Sequence, residues 1–322
     1  MLIDQYGRKI DYLRLSVTER CNFRCTYCMP EKPFSWVPNE ELLSFDELFL
    51  FVKVAIDEGI RKIRITGGEP TLREDLDRFI KMLFDYSPEI DIALTTNGFL
   101  MAEYADRYAK AGLKRINISL DSINRETAKK IAGGKDVLPN VLAGIDASIK
   151  AGMRVKLNCV PIKNINDIEL AEIFEYCKSR GVMLRFIEFM ENKFADGIRG
   201  LRGEEVKEIL SSKYGFKEVE KEFASPARLY ITDDNYMFGI IEPHKDDFCS
   251  SCNRLRLTAD GNLIPCLYFD EAVNIKKAIK SGNISDAIKI FHEVVQNKPE
   301  KNRWNNAGEV EVSSRAFYMT GG

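Results

Sequence analysis

Apolar residues recur along the first two-thirds of the chain in two alternating rhythms. Short runs rich in β-branched and aromatic residues, at Tyr12–Val17, Lys62–Thr66, Asp91–Thr95, Arg115–Leu120, Arg154–Val160 and Met183–Glu188, read as strands. Between them the apolar positions return at helical spacing, as on helices with one buried face. Phe45–Glu58 has Ser44 in place to cap its first turn and Gly59 to stop it. Leu76–Phe84, Ala102–Ala111, Val141–Ala151 and Ile168–Arg180 share the rhythm, and Gly112, Gly152 and Gly181 end the last three. Six strand–helix units in a row predict an α/β fold with a parallel sheet and helical crossovers, closed or partly closed as a barrel.

Past about Arg199 the rhythm changes. A helix near Glu204–Lys213 leads to β-like pieces at Ala227–Thr232 and Tyr236–Ile241, then to a hairpin through Arg254–Thr258 and Leu263–Leu267 turned by Asp260 and Gly261. Helices follow, before a tail ending in Gly321 and Gly322. No internal repeat or low-complexity tract interrupts this order.

Composition narrows the possibilities. The chain has 322 residues, 45% of them hydrophobic and 30% charged, which supports one large α/β unit or two domains with an ordinary core. No run of 18 or more apolar residues occurs, so no membrane span is expected. The stretch before Thr18 lacks the basic start and apolar segment of a secretory signal, which points to the cytoplasm. The formal net charge of −2 gives no sign of nucleic-acid binding, so any anion site must be a local gathering of arginine and lysine. With only His244 and His292 available, histidine-rich metal sites and a histidine-based catalytic triad are disfavoured.

Six of the eight cysteines fall into two tight groups, and in a reducing compartment grouped thiols mean metal more often than disulfides. Cys21, Cys25 and Cys28 follow the first strand directly with the spacing C-x3-C-x2-C. Three thiolates so close suit a cuboidal iron–sulfur cluster, whose soft iron sites prefer sulfur. Without a fourth nearby cysteine, one iron stays open to an exogenous ligand, whereas structural zinc wants four protein ligands. With Tyr27 just before the last thiol, this segment resembles the signature of the radical S-adenosylmethionine (SAM) superfamily. The resemblance implies that the open iron chelates the amino and carboxylate groups of SAM. It further implies that one electron from the cluster releases a 5′-deoxyadenosyl radical, and that the aromatic residue lies against adenine.

Barrel chemistry collects at the C-terminal ends of strands, and polar residues recur there. The second strand runs into Gly67-Gly68-Glu69, which allows close backbone approach to a ligand and resembles the superfamily's SAM-binding segment. Thr95 to Gly98 and Ser119 to Ser122 end the next two, Lys156 lies on the fifth and Met190 follows the sixth. Each is weak alone, since serine and threonine at strand ends commonly serve as caps. The second thiol group, Cys249, Cys252 and Cys266, has the spacing C-x2-C-x13-C. Alone it would read as structural zinc; beside the first group, and lacking a fourth partner, it reads as a second cluster. Cys159 and Cys177 sit in regular elements, where a free cysteine is commonly a small buried residue. Arg254 and Arg256 alternate on one strand face, and paired guanidiniums suit phosphate oxygens.

The run from Phe248 to Arg256 resembles the GTP 3′,8-cyclase family, as do Tyr12–Ser16, Ile65–Pro70, Thr95–Gly98, Asn117–Ser122, Arg185–Met190 and the terminal glycine pair. The likeness runs almost end to end. It implies an incomplete (β/α)6 TIM-type barrel over 1–222 and a C-terminal cluster-binding region over 223–322 that covers the open side. It implies two 4Fe–4S clusters, one on Cys21, Cys25 and Cys28 that cleaves SAM and one on Cys249, Cys252 and Cys266 that meets the guanine of GTP. Position by position, Tyr27, Gly68, Ser119 and Met190 match the family's SAM contacts. Arg14, Arg64, Thr95, Lys156, Arg254, Leu255 and Arg256 match its GTP contacts. The implied reaction moves the C3′ hydrogen of ribose to the adenosyl radical and joins C3′ to guanine C8, in the first step of molybdenum cofactor biosynthesis. The implied partners are a reductant or electron-donor protein and a downstream cyclic pyranopterin monophosphate synthase, with no nucleic acid or membrane, the chain being a monomer or homodimer. The glycine tail is expected to enter the active site. Glu191, Asn192 and Lys193 fall in a stretch that varies in the family and carry no expectation. A peptide-modifying two-cluster enzyme would carry further C-terminal cysteines, and a non-catalytic electron carrier would not need the strand-end polar residues.

Overall fold

The computed structural model describes residues 1–29, 36–192, 194–195, 197–220, 225–302 and 315–321. Six strands, β1 (Tyr12–Ser16), β2 (Lys62–Thr66), β3 (Asp91–Thr96), β4 (Arg115–Ser119), β5 (Arg154–Cys159) and β6 (Met183–Ile187), pair in parallel in sequence order. After them come β7 (Phe216–Val219), β8 (Ala227–Thr232), β9 (Met237–Ile241), β10 (Arg254–Leu257), β11 (Asn262–Ile264) and β12 (Val273–Asn274). The sheet order is β12-β11-β10-β1-β2-β3-β4-β5-β6-β9-β8-β7, so β7 and β12 lie at opposite edges and the barrel is incomplete.

The C-terminal half extends the sheet at both edges. β9 pairs in parallel with β6, and β10 pairs in parallel with β1. The 222/223 division lies outside the described residues, but β7 before it pairs antiparallel with β8 beyond it. One apolar core therefore serves the sheet on both sides of the division, with Phe186, Phe238, Leu255 and Leu257 among its members.

Alternation along each strand separates core from cavity. Leu13 and Leu15 of β1, with Ile63 and Ile65 of β2, are buried against the outer helices. Each such side chain contributes roughly 1.5–3 kcal/mol. The intervening Arg14 and Arg64 share a register and line the barrel interior. The helix Phe45–Glu58 shows how local signals set one crossover. Ser44 Oγ accepts from the Glu47 N–H, Glu47 returns a bond to the Ser44 N–H, and Gly59 ends the helix at φ 127°.

Most predicted elements appear within a few residues of their expected bounds. The helix Leu138–Lys150 starts three residues earlier than Val141, because Pro139 fits its first turn. The short helix Arg125–Ile131, capped by Asn124, and the strand β7 carry too few periodic positions to show in the sequence. Among the described residues, no helix is long and apolar enough to cross a membrane.

Candidate active site

Two chambers fill the barrel interior and share Thr95, Asn158, Ile187, Met190 and Leu267 in their walls, so each opens onto the other. Cys21, Cys25 and Cys28 line one; Cys249, Cys252 and Cys266 line the other. All eight thiols are free. Cys159 and Cys177 are fully buried in the apolar core and line neither chamber.

The first triplet occupies the loop that follows β1. Burial pushes the Cys21 thiol up to about 11 and the Cys28 thiol up to about 12, and lifts Cys25 well above the ordinary thiol value. Binding iron would therefore release protons. The main-chain N–H of Phe23 donates to Cys21 Sγ at 3.4 Å, and Asn97 Nδ2 approaches the same sulfur at 3.9 Å. Three soft donors facing one chamber, with N–H groups turned toward a sulfur, fit an iron–sulfur cluster with one open iron.

Gly67 and Gly68 have a cause that differs from the expected approach to a ligand. The Gly68 N–H donates to the Thr18 carbonyl at 2.7 Å, and the Glu69 N–H to that of Arg20 at 2.7 Å. A Cβ at Gly67 would lie 2.5 Å from the Thr18 oxygen, and one at Gly68 would lie 2.3 Å from that of Glu19. The glycines let the end of β2 pair closely with the segment that launches the cysteine loop, while Gly68 also faces the chamber.

Two carboxylates missed in the sequence organise this end. Glu69 is fully buried and accepts from Thr71 Oγ1 at 2.5 Å, Thr96 Oγ1 at 2.6 Å and the Asn97 N–H at 2.7 Å. It thereby ties the ends of β2 and β3; burial raises its pKa, and the hydrogen bonds offset part of the rise. Asp121 accepts from the Tyr27 hydroxyl at 2.7 Å and from the Val160 N–H at 2.8 Å, and burial lifts its carboxyl to about 6. Tyr27 is thus fixed against the ends of β4 and β5. The signal available was position alone: both acids sit inside strand-end segments already singled out. Asn192 also takes part, donating to the Tyr27 carbonyl at 3.1 Å, and Glu191 meets His244 at 2.8 Å. Lys193 lies outside the described residues.

The second chamber is strongly basic. Arg14, Arg64, Lys156, Arg254 and Arg256 line it, and Lys62, Arg115, Arg154, Arg185 and Lys298 join them. Asp91 is the one acidic residue in its lining among the described residues, and it is paired with Arg115. Arg64 donates to the Tyr12 hydroxyl at 2.9 Å, while its buried Nη1 has no hydrogen-bond partner among the described residues. Burial, with repulsion from neighbouring guanidiniums, brings both Arg14 and Arg185 down to about 10. Burial would raise the Tyr12 phenol, but Arg64 and Arg14 outweigh it and bring it to about 8. A polyanion relieves this crowding, since guanidinium forks match phosphate oxygens.

The thiols here lie in a different field. Burial raises Cys249, whereas Arg254 and Lys298 overcome burial at Cys252 and bring it down to about 6. Three sulfur donors facing the chamber again fit a cluster with an open iron. Leu255 is not a lining residue: its side chain is buried in the core, so only its main chain can serve this chamber.

The tail reaches the same place at Gly321. Arg14 donates to the Gly321 carbonyl at 2.7 Å, and Arg256 to the same oxygen at 3.0 Å. Gly321 has φ 68°, and a Cβ there would lie 2.2 Å from Thr66 Cγ2. Gly322 is outside the described residues. Thr95, Ser119 and Met190 line the first chamber with Tyr27 and Gly68, so every expected SAM-side residue faces it.

Comparison with known proteins bears on this arrangement. The model of the radical SAM superfamily matches residues 15–177, and that of Molybdenum Cofactor Synthesis C matches residues 182–304. Proteins named GTP 3′,8-cyclase from Aliarcobacter butzleri and Sulfurimonas denitrificans are each 61% identical to this chain, with 100% of both partners covered. Among solved structures, Streptococcus suis SuiB bound to S-adenosylmethionine aligns at a TM-score of 0.63 and 13% identity, over 92% of this chain and 66% of SuiB. This chain thus spans just under two thirds of SuiB. Native anSMEcpe with bound AdoMet aligns at 0.59 and 16% identity, over 93% of each chain. These structural likenesses establish the fold.

Proposed function

This chain belongs to the GTP 3′,8-cyclase family of the radical SAM superfamily, and from that membership we propose how its residues divide the work. It catalyses the 3′,8-cyclisation of GTP in molybdenum cofactor biosynthesis, with two 4Fe–4S clusters and SAM as cofactors. When bound, the first cluster and SAM would supply a 5′-deoxyadenosyl radical able to take the C3′ hydrogen of GTP; joining C3′ to guanine C8 would then open the C8–N7 double bond and draw one further electron from the reductant, with a proton, at N7.

The observation that carries the residue assignment is the pair of chambers, one thiol triplet in each, joined at Thr95, Asn158 and Met190. Cys21, Cys25 and Cys28 hold the SAM-cleaving cluster, and Tyr27, Gly68, Ser119 and Met190 seat SAM. Asp121 holds the Tyr27 hydroxyl. Cys249, Cys252 and Cys266 hold the second cluster. Arg14, Arg64, Lys156, Arg254 and Arg256 hold the triphosphate, helped by the Arg64 Nη1, which has no partner among the described residues. Thr95 stands at the junction, and Leu255 contributes through its main chain. Enclosure by the sheet and by the tail keeps water and stray hydrogen donors from the reacting carbon. Residues 1–222 act as the SAM-cleaving core and 223–322 as the substrate-side region. A reductant protein, a downstream cyclic pyranopterin monophosphate synthase and a cytoplasmic setting complete the reading.

The test is anaerobic. The protein is reconstituted with iron and sulfide and given SAM and a strong reductant, and 5′-deoxyadenosine is measured with GTP, ATP, a peptide mixture or nothing. GTP-specific stimulation with equimolar loss of GTP to a cyclised product is expected. Cleavage indifferent to GTP would contradict the substrate assignment.

A further inference from the structure

A buried lysine stands behind the second thiol triplet. Lys298 is 2% exposed and lines the chamber that contains Cys249, Cys252 and Cys266. Its ammonium donates to the main-chain carbonyls of Arg254 at 2.8 Å and Pro265 at 2.6 Å and, among the described residues, to no carboxylate. A buried ammonium without a counter-charge is costly, and lysine is almost never fully buried unless paired.

The two carbonyls it grips are not arbitrary. Arg254 lies two residues after Cys252, and Pro265 immediately precedes Cys266. Lys298 therefore cross-braces the two chain segments that carry Cys252 and Cys266. Its own position is held from behind by Arg8, which donates to the carbonyls of Pro299 at 2.7 Å and Glu300 at 2.8 Å. Arg8 also donates to the Cys249 carbonyl at 3.0 Å, so the two cations between them reach all three thiol-bearing arms. They differ in charge balance. Arg8 is neutralised by Asp4 at 2.6 Å, whereas Lys298 faces the thiol chamber with no carboxylate partner among the described residues. Three thiolates around iron would supply the missing negative charge.

We propose that Lys298 is the electrostatic partner and brace of the second iron–sulfur site. Its charge offsets the thiolate ligands and raises the site's reduction potential, and its two hydrogen bonds hold the Cys252 and Cys266 arms in place. This rests on the cluster reading of the second triplet. Net charge and nearby donors are the means by which a protein tunes such a site.

The test isolates that site in the full chain by replacing Cys21, Cys25 and Cys28 with alanine, then compares Lys298→Met with Lys298→Arg. Iron per chain and a redox titration followed by electron paramagnetic resonance are the readouts. Lys298→Met is expected to make the one-electron reduction about tenfold less favourable, ~59 mV, with Lys298→Arg staying close to the parent. Should Lys298→Met fail to assemble the cluster, restored assembly in Lys298→Arg supports the same role. Full iron and an unchanged potential in Lys298→Met would overturn the inference, as would equal losses in both variants. A parent chain that assembles no cluster on the second triplet would overturn the cluster reading itself and this inference with it.

Discussion

At the scale of single residues, the second chamber gathers more positive charge than its own acids can balance, and Tyr12 is the group most directly affected. Its hydroxyl accepts from Arg64, and the neighbouring guanidiniums bring its ionisation to about 8 against the opposing effect of burial. For an acid whose folded pKa is depressed, the charged form is favoured in the fold and is lost as pH falls through that value. Above about 8 the phenolate adds negative charge where a triphosphate is to bind. KM for GTP is therefore expected to be flat below that pH and to climb above it, while Tyr12→Phe flattens the profile. A parent KM independent of pH from 7 to roughly 9.5, within the tyrosine range, would contradict this.

At the scale of elements, strand β10 divides its labour between two faces. Leu255 points into the core, while Arg254 and Arg256 point into the chamber. Leu255→Ala is expected to cost about 2–5 kcal/mol of stability while leaving KM for GTP nearly unchanged. Arg256→Ala should leave the melting temperature nearly unchanged and raise KM roughly tenfold to a hundredfold, as loss of a charge-assisted bond implies. Thermal unfolding beside steady-state kinetics separates the two faces.

The loop after β6 offers a second case. His244 bonds Glu188 at 2.7 Å and Glu191 at 2.8 Å, bracketing Met190, which lies in the wall between the chambers. Burial lowers the His244 pKa, but the two glutamates outweigh it and leave it raised. A histidine raised in the fold contributes stability that is present below its unfolded pKa and fades as pH rises through the folded one. His244→Gln should therefore lower stability by about 1–3 kcal/mol at pH 6, and by much less at pH 9. Equal destabilisation at both pH values would show that the imidazolium charge is not involved.

At the scale of the whole molecule, the C-terminal tail meets the first strand inside the barrel. Arg14, in the first strand, and Arg256 both bind the carbonyl of Gly321. The left-handed backbone there and the contact with Thr66 leave no room for a side chain. Removing Gly321 and Gly322 should leave iron content intact and abolish turnover. Gly321→Ala should cut kcat at least roughly tenfold, through displacement of the tail by about a bond length or more. Product yield from the truncated chain equal to that of the parent would refute this.

The sequence by itself determined the repeating elements and the two thiol triplets. Helical period, strand alternation and cysteine spacing are local properties, set by the covalent chain and by which side chains can be buried. The position of Phe45–Glu58 followed from its cap and its terminal glycine, and the shared face of Arg254 and Arg256 followed from strand alternation. The same alternation, carried one residue further, would have turned the Leu255 side chain away from the chamber. What tertiary structure alone decided was adjacency. β10 could have joined either edge of the sheet, and only long-range pairing placed it beside β1, bringing Arg256 level with Arg14. That same docking put the two triplets in adjoining chambers and carried Lys298 and Arg8 to the second of them. The contacts of Lys298 and Arg8 with that triplet's arms join residues from 33 to 241 positions apart. Their free energy comes from burial and pairing between segments that have no local preference for each other, so no local pattern could announce them.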